Sequence, residues 1–404
     1  MRSRRSKLLH PCGGLPLIEH AVRAACALEA DTVHVVVGPD ARELRDALAG
    51  YPVQFAVQPE PSGTAGAVVA GIDAIGDSGG RLLVIEGDRP GVTPTALQHL
   101  LEGAGPAAAA HIELNGGVYC FDLEAVRDAL DGVEADATRG ERHLTSVFAL
   151  LAGQGAEVRA VPYDGAGELH DVNTRAELAR AEALMRRRAA ARLMDAGVTL
   201  RDPATAWVDV DVQVGADTVL HPRVTLEGRT VIGSDCDIRA GTRISNSRLG
   251  DRVEVLDGCI VEDSDVADRA TLGPYARLRP GSDIGAGAKV GNFVETKATR
   301  LGAGSKASHL SYLGNARIGQ HVNIGAGTIT CNYDGVAKHE TVIDDGAFIG
   351  SNSALVAPVR IGKNAYVGAG STITEDVPDG ALGLGRGRQV NKEDWAANNA
   401  KKKD

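Results

Sequence analysis

Two polar segments in the second half of the chain carry its most reactive combination of side chains. One covers residues 330–339, and the other, rich in Lys, His and Ser, covers residues 295–312. The second contains His309, and histidine has the near-neutral pKa that a general base needs at physiological pH. A lone histidine is more often a structural residue, so its role depends on the elements that position it.

A zinc site is a second chemistry to consider, because zinc enzymes of the carbonic anhydrase type need three converging histidines. His309, His321 and His339 are available. Their separations of 12 and 18 residues place them on similar faces of different turns of the repeat described next. No closely spaced ligand pair is present, so zinc hydration chemistry is disfavoured.

Both polar segments interrupt a repeat of aliphatic residues at six-residue spacing. The three series are Val214, Leu220, Leu226, Ile232, Ile238 and Ile244; Val266, Leu272, Leu278, Ile284 and Val290; and Ile343, Ile349, Leu355, Ile361, Val367 and Ile373. A helix repeats every 3.6 residues and a strand every 2.0. A period of six predicts a parallel β-helix whose short strands turn a corner every six residues. Insertions in such a stack are where function is usually placed.

The first half of the chain, up to about residue 173, alternates strand-like and helix-like runs, which predicts an α/β domain. Strands are predicted at 32–37, 53–57 and 81–86, and helices at 41–49, 66–75, 93–101 and 144–151. A long charged, Ala/Arg-rich periodic run follows. The predicted organisation is an N-terminal domain at 1–173, a linker helix within 174–199, and a β-helix domain with a C-terminal tail at 200–404.

Bulk composition restricts the function classes. The chain has 404 residues, which favours two domains, and its 50 glycines and 3% aromatic residues suit tight β-helix corners. A net charge of −10 disfavours nucleic-acid binding, and no apolar stretch long enough for a membrane span is present. Six scattered cysteines without a CxxC pair predict free thiols in a reducing cytoplasm.

The β-helix half carries motifs of a known family. The segments GPYARLRPGS and VGNFVETKATRLGAGSKASHLSYLGNARIGQHVNIGAGTITCNYDGVAKHET include both polar segments. They resemble the acetyltransferase domain of a bifunctional bacterial family that joins glucosamine-1-phosphate N-acetyltransferase to N-acetylglucosamine-1-phosphate uridyltransferase. The resemblance runs from Leu200 to Trp395. It implies a left-handed parallel β-helix and a homotrimer with active sites between neighbouring chains.

The resemblance also implies roles for individual residues. Acetyl transfer needs a free amine, and His309 matches the family's catalytic base. The matched phosphosugar ligands are Arg279, Lys297, Tyr312 and Asn323. The matched acetyl-CoA contacts are Ala326, Asn332, Tyr333, Ser351, Ala369 and Arg386. Lys338 aligns with a family lysine in the same loop, without a firm role.

The N-terminal half resembles the family's nucleotidyltransferase domain, which is α/β and Rossmann-like. The matching segments are KLLHPCGGLPLIEHAVRAACAL, VQPEPSGTAGAV, EGDRP and HDVNTRAEL. The implied nucleotide and sugar ligands are Lys7, Gln58, Gly63, Thr64 and Asn115. Asp88 and Asn173 match the residues that hold Mg²⁺ against the nucleotide phosphates, as oxygen ligands do.

This half departs from the family at two places, so the N-terminal domain is expected to be shortened. The Gly-rich phosphate loop would precede Met1, and several dozen residues are missing between LQHLLEGAGPAAAA and HIELNGGVYCFD. Phosphoryl transfer depends on positioning, so the uridyltransferase is expected to be weak or lost. The expected activity is acetyl transfer from acetyl-CoA to glucosamine-1-phosphate on the path to UDP-N-acetylglucosamine. The alternatives are a fully bifunctional enzyme that also uses UTP and Mg²⁺, and an inactive scaffold.

Overall fold

The computed structural model describes residues 1–76, 79–113, 116–138 and 140–400. The chain folds as two compact units, Met1–Arg188 and Ala189–Asp404. The division between them falls inside a 21-residue helix, Arg175–Asp195. Among the residues described, no helix is both long enough and apolar enough to cross a membrane.

Short strands and helices alternate through the first unit. In chain order they are β1 (Pro11–Cys12), β2 (Leu15–Pro16), α1 (Leu17–Cys26), β3 (His34–Val37), α2 (Arg42–Ala47), β4 (Gln54–Val57), α3 (Gly63–Ile75), β5 (Arg81–Ile85), α4 (Pro94–Ala104), β6 (Ala109–Ile112), β7 (Val118–Asp122), α5 (Leu123–Asp131), α6 (Ser146–Gly153), β8 (Val158–Val161) and α7 (Arg175–Asp195). Local chemistry sets two of the helix starts. Thr93 caps α4 by accepting a hydrogen bond from the Ala96 amide (3.1 Å), and Asp122 caps α5 in the same way.

The strands of this unit form separate sheets. Strands β3 and β4 pair in parallel, and a four-stranded mixed sheet has the order β5-β7-β6-β8. Strand β7 is buried on both sides, with Tyr119 and Phe121 in one apolar cluster and Val118 and Cys120 in another. All the predicted strands form, but they do not join into one sheet, since β3 and β4 pair apart from the sheet that contains β5.

Strand β6 is not among the strands predicted from the sequence. Its residues are Ala109, Ala110, His111 and Ile112, and alanine is depleted in strands because its side chain gives little cross-strand packing. The strand forms because β7 and β8 flank it on both sides. Tertiary pairing therefore overrides the weak local preference.

The second unit is a left-handed parallel β-helix. Its strands are β9 (Thr199–Leu200), β10 (Trp207–Val208), β11 (Gln213–Val214), β12 (Val219–Leu220), β13 (Thr225–Glu227), β14 (Val231–Ile232), β15 (Asp237–Ile238), β16 (Arg243–Ser245), β17 (Arg248–Leu249), β18 (Glu254–Val255), β19 (Ile260–Glu262), β20 (Asp265–Val266), β21 (Thr271–Leu272), β22 (Arg277–Leu278), β23 (Asp283–Ile284), β24 (Lys289–Asn292), β25 (Glu295–Lys297), β26 (Arg300–Leu301), β27 (Lys306–His309), β28 (Tyr312–Gly314), β29 (Ala316–Ile318), β30 (Asn323–Ile324), β31 (Ile329–Cys331), β32 (Thr341–Ile343), β33 (Phe348–Ile349), β34 (Ala354–Val356), β35 (Val359–Ile361), β36 (Tyr366–Val367), β37 (Thr372–Ile373) and β38 (Leu382–Gly383). A last helix, α8, covers Trp395–Ala400.

These strands build the three faces of a prism. The first face has ten strands from β10 to β37, the second has nine from β11 to β35, and the third has eleven from β9 to β38. Each strand pairs in parallel with the strand one coil away. The predicted aliphatic series point inward and are almost completely buried, so the six-residue prediction of the core is confirmed. Ala189, Ala190 and Leu193 belong to the same core.

The prediction that residues 295–312 interrupt the repeat is wrong. They form a regular coil, in which Thr296, Leu301, Ala307 and Leu313 fill the inward positions and are fully buried. The six-residue pattern is hard to see in this segment, because Thr296 and Ala307 are not large aliphatic residues and the step from Thr296 to Leu301 is five residues long. The Thr296 hydroxyl is satisfied inside the prism by Ser282 (2.8 Å). Of the segment 330–339, by contrast, residues 330 and 331 complete β31, and the rest belongs to a true insertion at 332–340 between β31 and β32.

Neighbouring residues of one strand should differ sharply in their contribution to stability. Leu226 is fully buried in the prism, so Leu226→Ala should lower the free energy of unfolding by about 2–5 kcal/mol. Thr225 faces outward on the same strand, and Thr225→Ala should cost at most about 1 kcal/mol. Denaturant unfolding followed by circular dichroism measures both. Equal losses would contradict the inward and outward assignment.

Candidate functional site

The predicted base and three predicted coenzyme contacts occupy one column along the prism. Each residue immediately precedes the positive-φ residue that turns the chain from the third face to the first, an edge called here the third–first edge. From coil to coil the column contains Asn292, His309, Ala326, Ser351 and Ala369. Because adjacent coils lie about 4.8 Å apart, His309 and Ala369 are separated by roughly 14 Å along the axis.

The upper part of the column is flat and lined by small side chains. Glycines precede Ala326 and Ser351, and no other residue fits there. A Cβ on Gly325 would lie 2.5 Å from the Ser351 amide nitrogen, and one on Gly350 would lie 2.4 Å from that of Ala369. A long, thin ligand can therefore lie along the edge with one end at His309.

Arg386 extends this column at the end far from His309. Strand β38 pairs with β36, and the Thr372 amide donates to the Gly385 carbonyl (2.9 Å), so Gly385 is the next position after Ala369. Arg386 follows it and is exposed. The column thus has an imidazole at one end and a guanidinium at the other, which suits a ligand with an anionic group remote from its reactive end.

The His309 ring has no internal support. The residue is exposed, and its carbonyl accepts a hydrogen bond from the Ser311 hydroxyl (2.9 Å). Within the part of the chain that the structure describes, its ring nitrogens make no hydrogen bond. A histidine base is usually oriented by a second group. No such group contacts the His309 ring among the described residues, so the role of His309 as a base stays a prediction.

Three cations gather at the opposite edge of the first face, called here the first–second edge. Lys297 ends β25, Arg279 follows β22, and Lys338 lies in the insertion. The nearby Lys338 ammonium, followed by the Arg279 guanidinium, lowers the pKa of Lys297. Glu295 pairs with Arg279 (2.8 Å), so this cation cluster keeps an excess of positive charge. It is suited to a phosphate dianion.

Asn332 and Tyr333 begin the insertion and play different structural roles. Asn332 is 8% exposed, and its Nδ2 donates to Oδ1 of Asn315 (2.6 Å). Tyr333 is largely exposed, and its hydroxyl donates to the Gly335 carbonyl (2.6 Å). Sequence reasoning missed Asn315, which has a positive φ at an edge; asparagine in a tight corner was the available signal.

Tyr312 and Asn323 lie near the base. Tyr312 starts β28 on the first face, three residues after His309, and Asn323 starts β30 on the third face. Both are half-buried and point outward. The structure therefore brings His309, Tyr312 and the small-residue column together. It places the cation cluster on the far side of the first face, about 10 Å away across three strand residues.

In the first unit, the predicted metal ligands meet at one lysine. The Lys7 ammonium donates to Oδ2 of Asp88 (2.6 Å) and to Oδ1 of Asn173 (2.7 Å). Asp171 also pairs with the Asn173 amide. Two oxygens that converge on one cation are a donor set that also fits Mg²⁺. For a metal to bind there, Lys7 would have to move toward another anion, such as a phosphate.

The predicted nucleotide contacts hold the local chain together. Gln58 is hydrogen-bonded to the Ser62 hydroxyl (3.1 Å), and Thr64 Oγ1 accepts from the Leu144 amide (3.0 Å). Gly63 has φ +87°, and a Cβ there would lie 2.6 Å from the Arg142 carbonyl oxygen, so only glycine fits. The predicted sugar ligand Asn115 lies outside the described residues.

An α/β unit with a nucleotidyltransferase-like site, followed by a hexapeptide β-helix, defines a two-domain transferase. A family model for a MobA-like NTP transferase domain matches residues 1–193, and one for the bacterial transferase hexapeptide (six repeats) matches residues 340–375. A nucleotidyl transferase from Methanothermobacter thermautotroptrophicus covers 44% of this chain and 83% of its own, at 23% identity and a TM-score of 0.38.

Two full-length relatives give the family. The bifunctional protein GlmU of Koribacter versatilis (strain Ellin345) is 42% identical over 440 residues, covering 98% of this chain and 94% of the relative. The bifunctional protein GlmU of Shouchella clausii (strain KSM-K16) is 40% identical over 435 residues, covering 98% and 95%. The chain belongs to the GlmU family of bifunctional proteins.

Removal of Lys338 should change the ionisation of Lys297. Because the Lys338 charge disfavours protonation of its neighbour, Lys338→Met should raise the pKa of Lys297 toward its ordinary value. Inorganic phosphate should shift the pKa of Lys297 in the same direction in the unaltered protein. NMR titration of isotope-labelled lysine side chains measures both effects. Lys363→Met, outside the cluster, is the control, and an unchanged Lys297 pKa in Lys338→Met would contradict the geometry.

Proposed function

We propose that this protein transfers the acetyl group of acetyl-CoA to the amino group of glucosamine-1-phosphate, and that its uridyltransferase activity is weak or lost. The product is N-acetylglucosamine-1-phosphate, the precursor of UDP-N-acetylglucosamine for the cell wall. The observation that carries the proposal is the third–first edge, where His309 lies at one end of a small-residue column and Arg386 at the other.

The column suggests how the reaction proceeds. Acetyl-CoA lies along Ala326, Ser351 and Ala369 with a phosphate toward Arg386 and its thioester toward His309. The sugar amine attacks the thioester carbonyl carbon, so a C–N bond forms while the C–S bond breaks. His309 accepts the proton that the amine loses, and the proton passes to the departing thiolate. Asn332 and Tyr333, at the start of the insertion, lie at the first–second edge, so the proposed contact to the acetyl end is made by these two residues of a second copy of the chain.

The cation cluster of Arg279, Lys297 and Lys338 is the proposed holder of the sugar phosphate. Three cations with a single carboxylate partner suit a phosphate dianion. Tyr312 and Asn323 are the proposed contacts to the sugar ring.

A second copy of the chain completes this site in the proposal. Within one chain the base and the cation cluster lie at opposite edges of the first face, and the His309 ring has no orienting partner among the described residues. If the base edge of one copy meets the cationic edge of the next, the contact is head-to-tail and closes into a ring. We propose a homotrimer.

An exposed apolar ridge supports this assembly. Tyr275, Phe293 and Leu310 make the third–first edge in three successive coils and are 56%, 57% and 62% exposed. All three have positive φ, a strained conformation for bulky residues that glycine fills in nearby coils such as at Gly258 and Gly327. Large apolar side chains kept in strained, exposed positions indicate contact with another molecule. Leu310 is also adjacent to the base.

A charge on the ridge should separate the copies. Phe293→Asp keeps a residue that tolerates positive φ, so the prism should stay folded while the trimer dissociates and acetyl transfer falls. Light scattering after size exclusion measures the mass, and thiol release measures activity. Arg317→Asp, on the charged second face, is the control and should leave both unchanged. A trimeric, active Phe293→Asp protein would remove the ridge from the interface.

The second half of the proposal, a weak or lost uridyltransferase, rests on the expected shortening of the first unit. Between α4 and β7 the described residues form one four-residue strand, β6, where the family is expected to have further strands around the sugar. The alignments with the two relatives extend over 440 and 435 positions, more than the 404 residues of this chain, so they contain gaps. Phosphoryl transfer depends on a complete set of positioning contacts.

The alternative is a fully bifunctional enzyme. The Lys7, Asp88 and Asn173 cluster favours it, because the donors expected to hold Mg²⁺ and the phosphate-binding lysine are together. Asp88 and Asn173 would hold the metal, which would neutralise charge on the phosphates of UTP. Lys7 would then be free to bind a phosphate oxygen.

Two assays on one preparation separate these functions. The protein is given acetyl-CoA with glucosamine-1-phosphate, and separately UTP, Mg²⁺ and N-acetylglucosamine-1-phosphate. Thiol release with little pyrophosphate is the expected result. Pyrophosphate release at an ordinary enzymatic rate would favour the bifunctional alternative, and neither product would favour an inactive scaffold.

His309→Ala identifies the base in the first assay. Thiol release should fall by about 10²–10⁴-fold with the trimer intact, the usual contribution of a general base. His143→Ala, an exposed histidine in the first unit, should have no effect. Full activity in His309→Ala would assign the base to another group.

A further inference from the structure

The insertion between β31 and β32 is exposed but well organised. Tyr333 and Lys338 form an antiparallel bridge, and the His339 amide donates to the Asn332 carbonyl (2.9 Å). The Asp334 amide donates to the Ala337 carbonyl (3.2 Å). The insertion is therefore a small hairpin that projects from the first–second edge.

One carboxylate closes the hairpin turn. Oδ1 of Asp334 accepts from the amides of Val336 (2.8 Å) and Ala337 (2.7 Å), and Oδ2 pairs with Nε2 of His339 (2.6 Å). The hydrogen bond from the Ala337 amide, followed by the one from His339, holds the pKa of Asp334 well below its usual range. The carboxylate therefore stays ionised at neutral pH.

These contacts restrain the backbone on both sides of Lys338. Ala337 precedes it and His339 follows it, and both are bound by the same carboxylate. Lys338 needs such restraint because it lies against Lys297, a like charge that repels it. Without the Asp334 hydrogen bonds, the hairpin would relieve that repulsion by moving Lys338 away from the cation cluster.

We propose that Asp334 is a positioning residue that holds the Lys338 ammonium in the cation cluster before the phosphate arrives. The inference rests on the proposed function for its substrate. It adds that the Asp334 hydrogen bonds preorganise the anion site. Since the repulsion is already overcome in the free protein, phosphate binding does not have to order the hairpin.

The direction of the change in phosphate affinity tests this role of Asp334, because a purely electrostatic role predicts the opposite change. If Asp334 acted only through its negative charge near the cluster, its removal would strengthen anion binding. If it positions Lys338, its removal weakens anion binding. Calorimetry with inorganic phosphate, and with glucosamine-1-phosphate, distinguishes the two without any turnover.

The expected result is a loss of affinity that depends on Lys338. Asp334→Ala should weaken phosphate binding by about tenfold, and Lys338→Met by a similar factor. The double variant should be no weaker than Lys338→Met alone, because both changes remove the same contact. Asp334→Asn, which keeps an acceptor for the two amides and a polar partner for His339, should restore most of the affinity.

A matched control separates this role from general stability. Asp379 also accepts a backbone amide, that of Lys363 (2.8 Å), at another corner, and Asp379→Ala should bind phosphate normally. Unchanged or tighter phosphate binding in Asp334→Ala, or losses that add in the double variant, would overturn the inference. Failure of the proposed function is a different result, namely no thiol release by the unaltered protein.

Discussion

The parallel hydrogen-bond ladder between successive coils is the constraint on which the rest of this protein depends. Each short strand is too small to be stable alone, and it persists because the coils on either side pair with it and the inward aliphatic residues stack into one continuous core. The ladder fixes the spacing of equivalent residues at about 4.8 Å per coil. The positions of His309, Ala326, Ser351 and Ala369 follow from that spacing and not from any contact among them.

The prism edges are where this regularity is adapted. An edge needs a residue at positive φ in each coil, which glycine and asparagine supply at little cost. In the ridge beside the proposed base, the bulky residues Tyr275, Phe293 and Leu310 hold these positive-φ positions instead. The second face, by contrast, carries charged residues such as Arg300 and Arg317. The chain thus has an apolar side and a charged side. This asymmetry supports the proposed head-to-tail assembly, in which a neighbouring copy would orient the proposed base.

The two units differ in the continuity of their sheets. The prism accepts the insertion at 332–340 without losing register, because β31 and β32 still pair with the coils on either side. In the first unit the described strands form separate sheets, with β3 and β4 apart from β5, β7, β6 and β8. Three of its predicted ligand residues nevertheless come together, because the Lys7 ammonium donates hydrogen bonds to both Asp88 and Asn173.

The six-residue aliphatic period determined the β-helix by itself, because only one kind of backbone path buries a side chain at every sixth position. The family motifs likewise predicted His309, Arg279 and Lys297 without coordinates. Tertiary structure alone decided what those residues face. It aligned His309 with a column of small residues and brought Lys338 close to Lys297, which lies two coils away. It paired Asp334 with His339 across the hairpin. It also showed that 295–312 is an ordinary coil, where Thr296 and Ala307 fill inward positions that a search for large aliphatics overlooks. Packing between coils joins residues far apart in sequence, and no local pattern encodes that proximity.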